Sequence, residues 1–433
     1  MNNKIFYKKM FAFLISTCTE RVVFSFAALL STFIVSQIGS KEVAGVSIAI
    51  TIINIVQALF FALGVGVTVS IAKSESEKQA EIVSTGFVMT FVFSLIITLL
   101  FLLFGDALIL LLFKKSEEAV RNIAIYYLEI CSFGFVFLAF ETIISACFRG
   151  IMDVKIPANI TLFSNALNVA FSLLFSFVFD YGYKGCAFAY LISIVFSFVC
   201  KALYIAIKKN TFCIKKICLF NKACCFEILK ISFPSIVEQF FIKSGFLGMQ
   251  AITALLGTAV LSGYQIANNI LNVIYSVTAG FESTQMTFVS YYSSKGMKRE
   301  SRMSVWNILW VGEALILVFG VLLFAFSEKI AEFFMDTHET VNAARDIIRL
   351  LCITLPFTTC FQILQGSLKS CRDIIFVAGS NVLHTWLLRI LLAFVLVFFF
   401  DMGFYGLFIA FMVDYVMRAA TFAVTCKKEH WLI

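Results

Sequence analysis

The feature that most constrains this chain is an apolar run of about twenty residues or more, met about twelve times. Charged or turn-forming segments separate the runs, such as Lys73–Lys78, Lys114–Glu118 and Lys295–Arg302. A helix of that length crosses the hydrocarbon of a bilayer. Only helices and closed barrels satisfy every backbone polar group there. Barrel strands read as short alternating segments, and this sequence does not. The expectation is an all-α integral membrane protein. Its spans lie at roughly 10–36, 43–71, 82–113, 119–148, 156–179, 183–207, 227–255, 260–291, 303–326, 346–369, 374–400 and 403–426. The 433 residues are 61% hydrophobic and 14% charged, too little charge to coat a water-facing surface of this size.

The positions of the charges give the orientation. With Lys4, Lys8 and Lys9 placed inside, the inner segments hold roughly twenty Lys and Arg and the outer loops about eight. Both termini are then cytoplasmic and the setting is the plasma membrane. This sorting accounts for the net charge of +8 without nucleic acid as a partner. The thirteen cysteines show no framework spacing and are expected to pack as thiols. No cleavable leader is apparent, since the first apolar run is a full helix carrying Glu20 and Arg21.

The chain repeats itself. Asp180, Gly182, Gly185 and Ala189 match Asp401, Gly403, Gly406 and Ala410. Asp153 matches Asp373, and Gly39, Gly45, Ile48, Ala49, Ile52 and Asn54 match Gly257, Gly263, Ile266, Ala267, Ile270 and Asn272. The offset stays near 220 residues throughout. Two pseudo-symmetric six-helix bundles are expected: a lobe over 1–207, a basic cytoplasmic linker over 208–226 and a lobe over 227–433. With six helices each, the halves are parallel repeats, an arrangement suited to rocking about a central cavity.

These residues, in their order, resemble the multidrug and toxin extrusion (MATE-type) family. The resemblance is carried by Phe148-Arg-Gly150-Ile-Met-Asp153, then Pro157 and Asn165-Ala-Leu-Asn168. Leu368–Asp373 with Trp386 and Arg389 repeats this more loosely. The turns Gly182–Gly185 and Gly403–Gly406, Ser232-Phe-Pro234-Ser-Ile-Val-Glu238, and Leu256-Gly257 also fit. The resemblance implies twelve helices in two lobes and export of organic cations and other amphiphiles, driven by sodium or proton entry. It departs from the family where acids are often found. Ser31 stands in the first helix, Asn168 in the fifth and Ile242 in the seventh, while the tenth offers only Gln362 and Gln365.

Ionisable groups at membrane depth are costly and tend to be functional. The candidates are Glu20, Arg21, Glu129, Glu141, Glu238, Lys243, Glu282, Glu313, Arg389, Asp414 and Arg418. Glu238 leads, one turn after Pro234, where proline frees a backbone carbonyl. The carboxylate could hold sodium or a proton, or pair with Lys243. Glu282 continues a polar stripe of Gln265, Asn268, Asn272 and Tyr275 that lines a path or bonds helix to helix. Glu20 shares a face with Ser31 and could replace the missing acid from deeper in the helix. Asn165 and Asn168 could coordinate a cation weakly or glue helices. Asp414 and Arg418, four apart, are expected to neutralise each other, and Arg389 to anchor structure. Phe240, Phe246 and Met249 could form a soft wall for amphiphiles.

No His-Glu-x-x-His pair and no phosphate-binding Gly-x-x-x-x-Gly-Lys-Ser/Thr loop is found, so the chain is read as no enzyme. No cofactor is expected beyond transported sodium or protons. The expected partners are amphiphilic small-molecule cations and the bilayer, with the protein a monomer. Efflux by ion antiport is the leading reading. A flippase for a lipid-linked or amphiphilic substrate is the alternative. Acids match or outnumber bases at depth in this reading, which favours cationic cargo.

Overall fold

A computed structural model describes residues 3–112, 118–207, 220–256, 258–334, 338–370 and 373–428. Among them the chain is helical, with no strand. The helices form twelve rods in chain order. The first half holds α1 (Asn3–Ser36), α2 (Ser40–Lys73), α3 (Ser76–Leu112), α4 (Glu118–Phe133 with Phe135–Gly150), α5 (Lys155–Val178) and α6 (Tyr183–Ile207). The second holds α7 (Lys222–Leu255), α8 (Thr258–Ser294), α9 (Lys298–Phe334), α10 (His338–Ser370), α11 (Ile374–Phe398) and α12 (Gly403–Lys427).

Eight of these rods are each apolar and long enough to cross a bilayer, judged on the described residues. The bent α4 makes a ninth, its two segments meeting at 53° about Gly134. The other rods, α1, α7 and α8, have 34, 34 and 37 residues and also have the length for a crossing. On α3, Leu95, Ile96, Leu99, Leu103 and Phe104 are exposed, as are Leu317, Val318, Val321 and Leu322 on α9. Such continuous apolar faces need hydrocarbon beside them.

The chain forms two compact units, Thr19–Ile236, and Met1–Cys18 with Val237–Ile433. The divisions cut α1 and α7 at points equivalent under the repeat. Each unit therefore takes in the amino-terminal segment of the other half's first helix. In the first unit Ser232 of α7 donates to the Leu63 carbonyl of α2 at 3.2 Å. In the second, Thr17 of α1 and Thr284 of α8 share a 2.8 Å hydrogen bond.

The duplication seen in the sequence is kept in the backbone. Asp180 and Asp401 have φ of 57° and 51°, and Gly182 and Gly403 have 55° and 52°. The amide of Tyr181 donates to Phe175 at 3.0 Å, and that of Met402 to Leu396 at 3.1 Å. Gly185 and Gly406 then return the chain against the helix just completed. A Cβ on Gly185 would stand 2.7 Å from the Phe175 carbonyl carbon, and one on Gly406 3.0 Å from the Leu396 Cβ. Gly185→Ala is therefore expected to cost about 1–3 kcal/mol, because backbone blocks the methyl. The melting temperature of the detergent-purified protein should fall. An unchanged value would show that this turn can yield.

Candidate functional site

The second unit buries a chain of charged and amide side chains contributed by five rods. Its first link is Glu238 on α7, one turn beyond Pro234 and only 1% exposed. Its Oε1 accepts from Asn381 Nδ2 of α11 at 2.6 Å and lies 3.1 Å from Lys369 Nζ of α10. The Lys369 ammonium is also 3.1 Å from Glu282 Oε1 of α8. One cation thus bridges two carboxylates. Asn381 extends the chain, donating to Gln365 Oε1 at 2.9 Å and accepting from Arg418 Nη1 of α12 at 3.2 Å. Arg418 donates in turn to Asp414 at 2.6 Å and to Thr385 at 3.1 Å. Asp414 also accepts from Arg389 Nε at 2.8 Å.

Three acids and three bases balance, which is what makes so much charge tolerable out of water. Arg389 lies over the rings of Phe411 and Tyr415, at 5.0 and 4.8 Å to their centroids. Buried aromatic faces thus take up the part of the cation that Asp414 does not reach. One group in the chain is unmatched. Glu238 Oε2 is buried and has no hydrogen-bond partner. A carboxylate oxygen left so is a place for a proton or a cation.

The packing of α8 against α10 puts Lys369 there. Gly366 backs onto the Glu282 carbonyl, where a Cβ would come within 2.6 Å. Thr278 bonds Gln362, and Gln285 donates to Ser367 at 2.7 Å, so the two helices are laced above and below the acid. Lys369 sits in the last turn of α10. Its stem follows the helical Cβ direction back toward the amino terminus and so into the cluster.

The first unit buries a second cluster. Lys201 of α6, fully buried, pairs with Glu141 of α4. It also donates to Ser145 at 2.8 Å and Thr161 at 2.7 Å. Arg149 of α4 is also buried. Arg21 and Arg149 stand over the Phe61 ring, at 3.7 and 5.2 Å. A surface hollow of about 510 Å³ lined by Tyr126, Phe175, Tyr181, Lys184, Phe188 and Ile192 shares no residue with this cluster.

One expected pairing needs correction, and the other candidates take varied places. Glu238 pairs with Lys369 and not with Lys243. Lys243 and Glu20 are half-buried, and Glu129 and Asn272 are exposed. Asn165 Nδ2 bonds the Thr161 carbonyl of its own helix at 2.9 Å, and Asn168 Oδ1 accepts from Ser172 at 3.4 Å. Of the polar stripe on α8, Glu282 enters the cluster and Tyr275 bonds Tyr415 at 2.8 Å. The side chains of Gln265, Asn268 and Ser31 lie outside the described residues. Glu313 keeps a buried oxygen without a hydrogen-bond partner. Of the apolar wall, Phe240 is exposed, while Met249 is buried and Phe246 lies beneath Arg389.

Lys201, Lys369 and Arg149 are absent from the sequence candidates. A symmetry search could have found two of them, since Glu20 and Arg149 stand about 220 residues before Glu238 and Lys369. Among the described residues the fully buried bases are Arg149, Lys201, Lys369, Arg389 and Arg418, against the acids Glu238 and Asp414.

Comparison with known proteins agrees with this architecture. The MatE family model matches residues 17–174 and 234–395, one stretch in each half. The chain is 23% identical over 414 residues to the probable multidrug resistance protein NorM of Thermotoga maritima, covering 92% of this chain and 88% of that one. It is 22% identical to the probable multidrug resistance protein YpnP of Bacillus subtilis, covering 84% and 82%. A multidrug resistance MATE family transporter solved in an outward-facing conformation superposes with TM-score 0.92 at 16% identity, over 98% of this chain and 96% of that one. A MOP superfamily transporter from Pyrococcus furiosus superposes with TM-score 0.91 at 16% identity, over 98% and 95%. That protein is described as having a binding pocket of reverse polarity that suggests a different function.

Proposed function

Because this chain belongs to the MatE family, we propose that it is a secondary active efflux antiporter, exporting organic cations and drugs in exchange for sodium ions or protons by alternating access. The family consists of transporters and not enzymes. We place the protein in the cytoplasmic membrane as a monomer, both termini inside, on the sorting of Lys and Arg among its loops.

The observation that carries the reading is the unmatched Glu238 oxygen in an otherwise satisfied buried charge chain. A carrier coupled to an ion needs a group whose charge state changes during the cycle, walled off from both aqueous sides for part of it. Glu238 supplies that group. Lys369 and Asn381 hold its other oxygen, so uptake or release of a proton or cation would pull on α10 and α11 together.

Purified protein in liposomes loaded with a fluorescent lipophilic cation tests this. Dye should leave when a sodium gradient or a proton gradient is imposed. Folded protein that moves dye under neither gradient overturns the reading. Arg149, Lys201 and Lys369, buried bases beyond those read from the sequence, favour a second reading, a flippase for an anionic lipid-linked or amphiphilic substrate. Protein that scrambles or moves such a lipid, and not the dye, would establish it.

A further inference from the structure

Lys369 has the position and charge of a bound ion. Its ammonium lies 3.1 Å from one oxygen of Glu238 and 3.1 Å from one of Glu282. Glu238 Oε1 and Gln365 Oε1 both receive Asn381 Nδ2, at 2.6 and 2.9 Å, which brings a neutral amide oxygen beside Glu238. Two carboxylate oxygens meeting at one point, with an amide oxygen one hydrogen-bonded group away, form the all-oxygen surroundings that hard cations take. The space they surround is filled from within. The aliphatic stem of Lys369 closes it on the side of α10, and the residue is 4% exposed. The unpartnered Glu238 Oε2 shows that the donor set exceeds what one ammonium satisfies.

We infer that the Glu238–Glu282–Gln365 cluster is a cation-binding site held by the tethered ammonium of Lys369, so that free sodium does not enter it and removal of the lysine side chain opens it to sodium. The repeat supports the assignment. Arg149 occupies the position equivalent to Lys369, and Glu20 the position equivalent to Glu238. Each half thus carries a buried base at this position and an acid in its first helix. A fixed cation costs no ion capture and offsets one of the two carboxylate charges, leaving the unpartnered Glu238 oxygen to a proton. Without it, two carboxylates share a dry site, an arrangement that costs several kcal/mol until a counterion returns.

The inference deepens the transport reading by leaving the proton as the coupling ion at Glu238, and rests on that reading for any role in export, but its test is a binding test and uses no transport. Melting temperatures are measured in detergent with 100 mM sodium chloride or choline chloride. Wild type should melt at the same temperature in both. Lys369→Ala should gain about 5 °C in sodium, saturably, through ligand linkage. Adding Glu238→Gln should remove that gain. A sodium response in wild type, or none in folded Lys369→Ala, overturns the inference. Should Lys369→Ala yield folded protein only from sodium-containing buffer, that dependence supports it equally. If it folds in neither buffer, Lys369→Gln with Glu282→Gln restores the charge balance around Glu238. This pair should still respond to sodium, more weakly, and no response would overturn the inference. Dye export in liposomes then reports on the transport reading separately, since either result can fail without the other.

Discussion

Glu238→Gln is expected to lower ion-driven export at least tenfold while leaving the protein folded. The substitution keeps the volume of the side chain and an amide oxygen that can accept from Asn381 and Lys369 as Glu238 Oε1 does. What disappears is the charge, and with it the capacity to bind and release a proton or cation. The structural cost is modest because Lys369 keeps Glu282 as a counterion. Losing one charge-assisted bond there is worth about 1.5–3 kcal/mol. Export per molecule in liposomes should therefore collapse where the melting temperature moves by only a few degrees. Full ion-driven export by this variant would remove Glu238 from coupling. It would leave the cluster a structural one.

Asp414→Asn is expected to have the opposite profile. Asp414 is fully buried and serves two guanidiniums, Arg389 at 2.8 Å and Arg418 at 2.6 Å. An asparagine leaves both without a counterion, away from water. Breaking a buried pair in this way costs about 3–5 kcal/mol. That is a large part of the roughly 5–15 kcal/mol by which folded proteins are stable. Folded yield and melting temperature should drop sharply. Export per folded molecule should persist, since the aromatic rings of Phe411 and Tyr415 still hold Arg389 in place. A second substitution, Arg418→Met, should recover part of the yield by removing one of the two stranded charges. Well-folded Asp414→Asn that transports nothing would make Asp414 part of the transport machinery.

The two residues differ in how readable they were. Both acids stand out in apolar runs, and the i,i+4 pair of Asp414 and Arg418 is a local rule that the structure keeps. Glu238 is conspicuous because Pro234 precedes it by one turn, but the sequence does not show its partner. Sequence proximity suggested Lys243, five residues on along the same helix. The actual partner is 131 residues away on α10, placed by the close contact of Gly366 with α8.

Lys369 was passed over for a physical reason. Lysines near the ends of spans ordinarily snorkel out to the membrane surface. Lys369 lies in the last turn of its helix and so resembles one of these. Lys201, two turns from the end of α6, was overlooked in the same way. Which way such a side chain turns depends on whether an acid waits inside the bundle, and that is a property of neighbouring helices.

The sequence by itself determined the membrane-spanning helical class, the duplication and the turns that carry it. Each of these rests on local rules: apolar length, backbone hydrogen bonding within one helix, and the glycines and aspartates that take positive φ. The tertiary structure alone decided how the charges pair, where α4 bends, and that α1 and α7 each contribute to both units. Those outcomes depend on groups far apart in the chain meeting without water, where each charge must find the partner that packing brings to it.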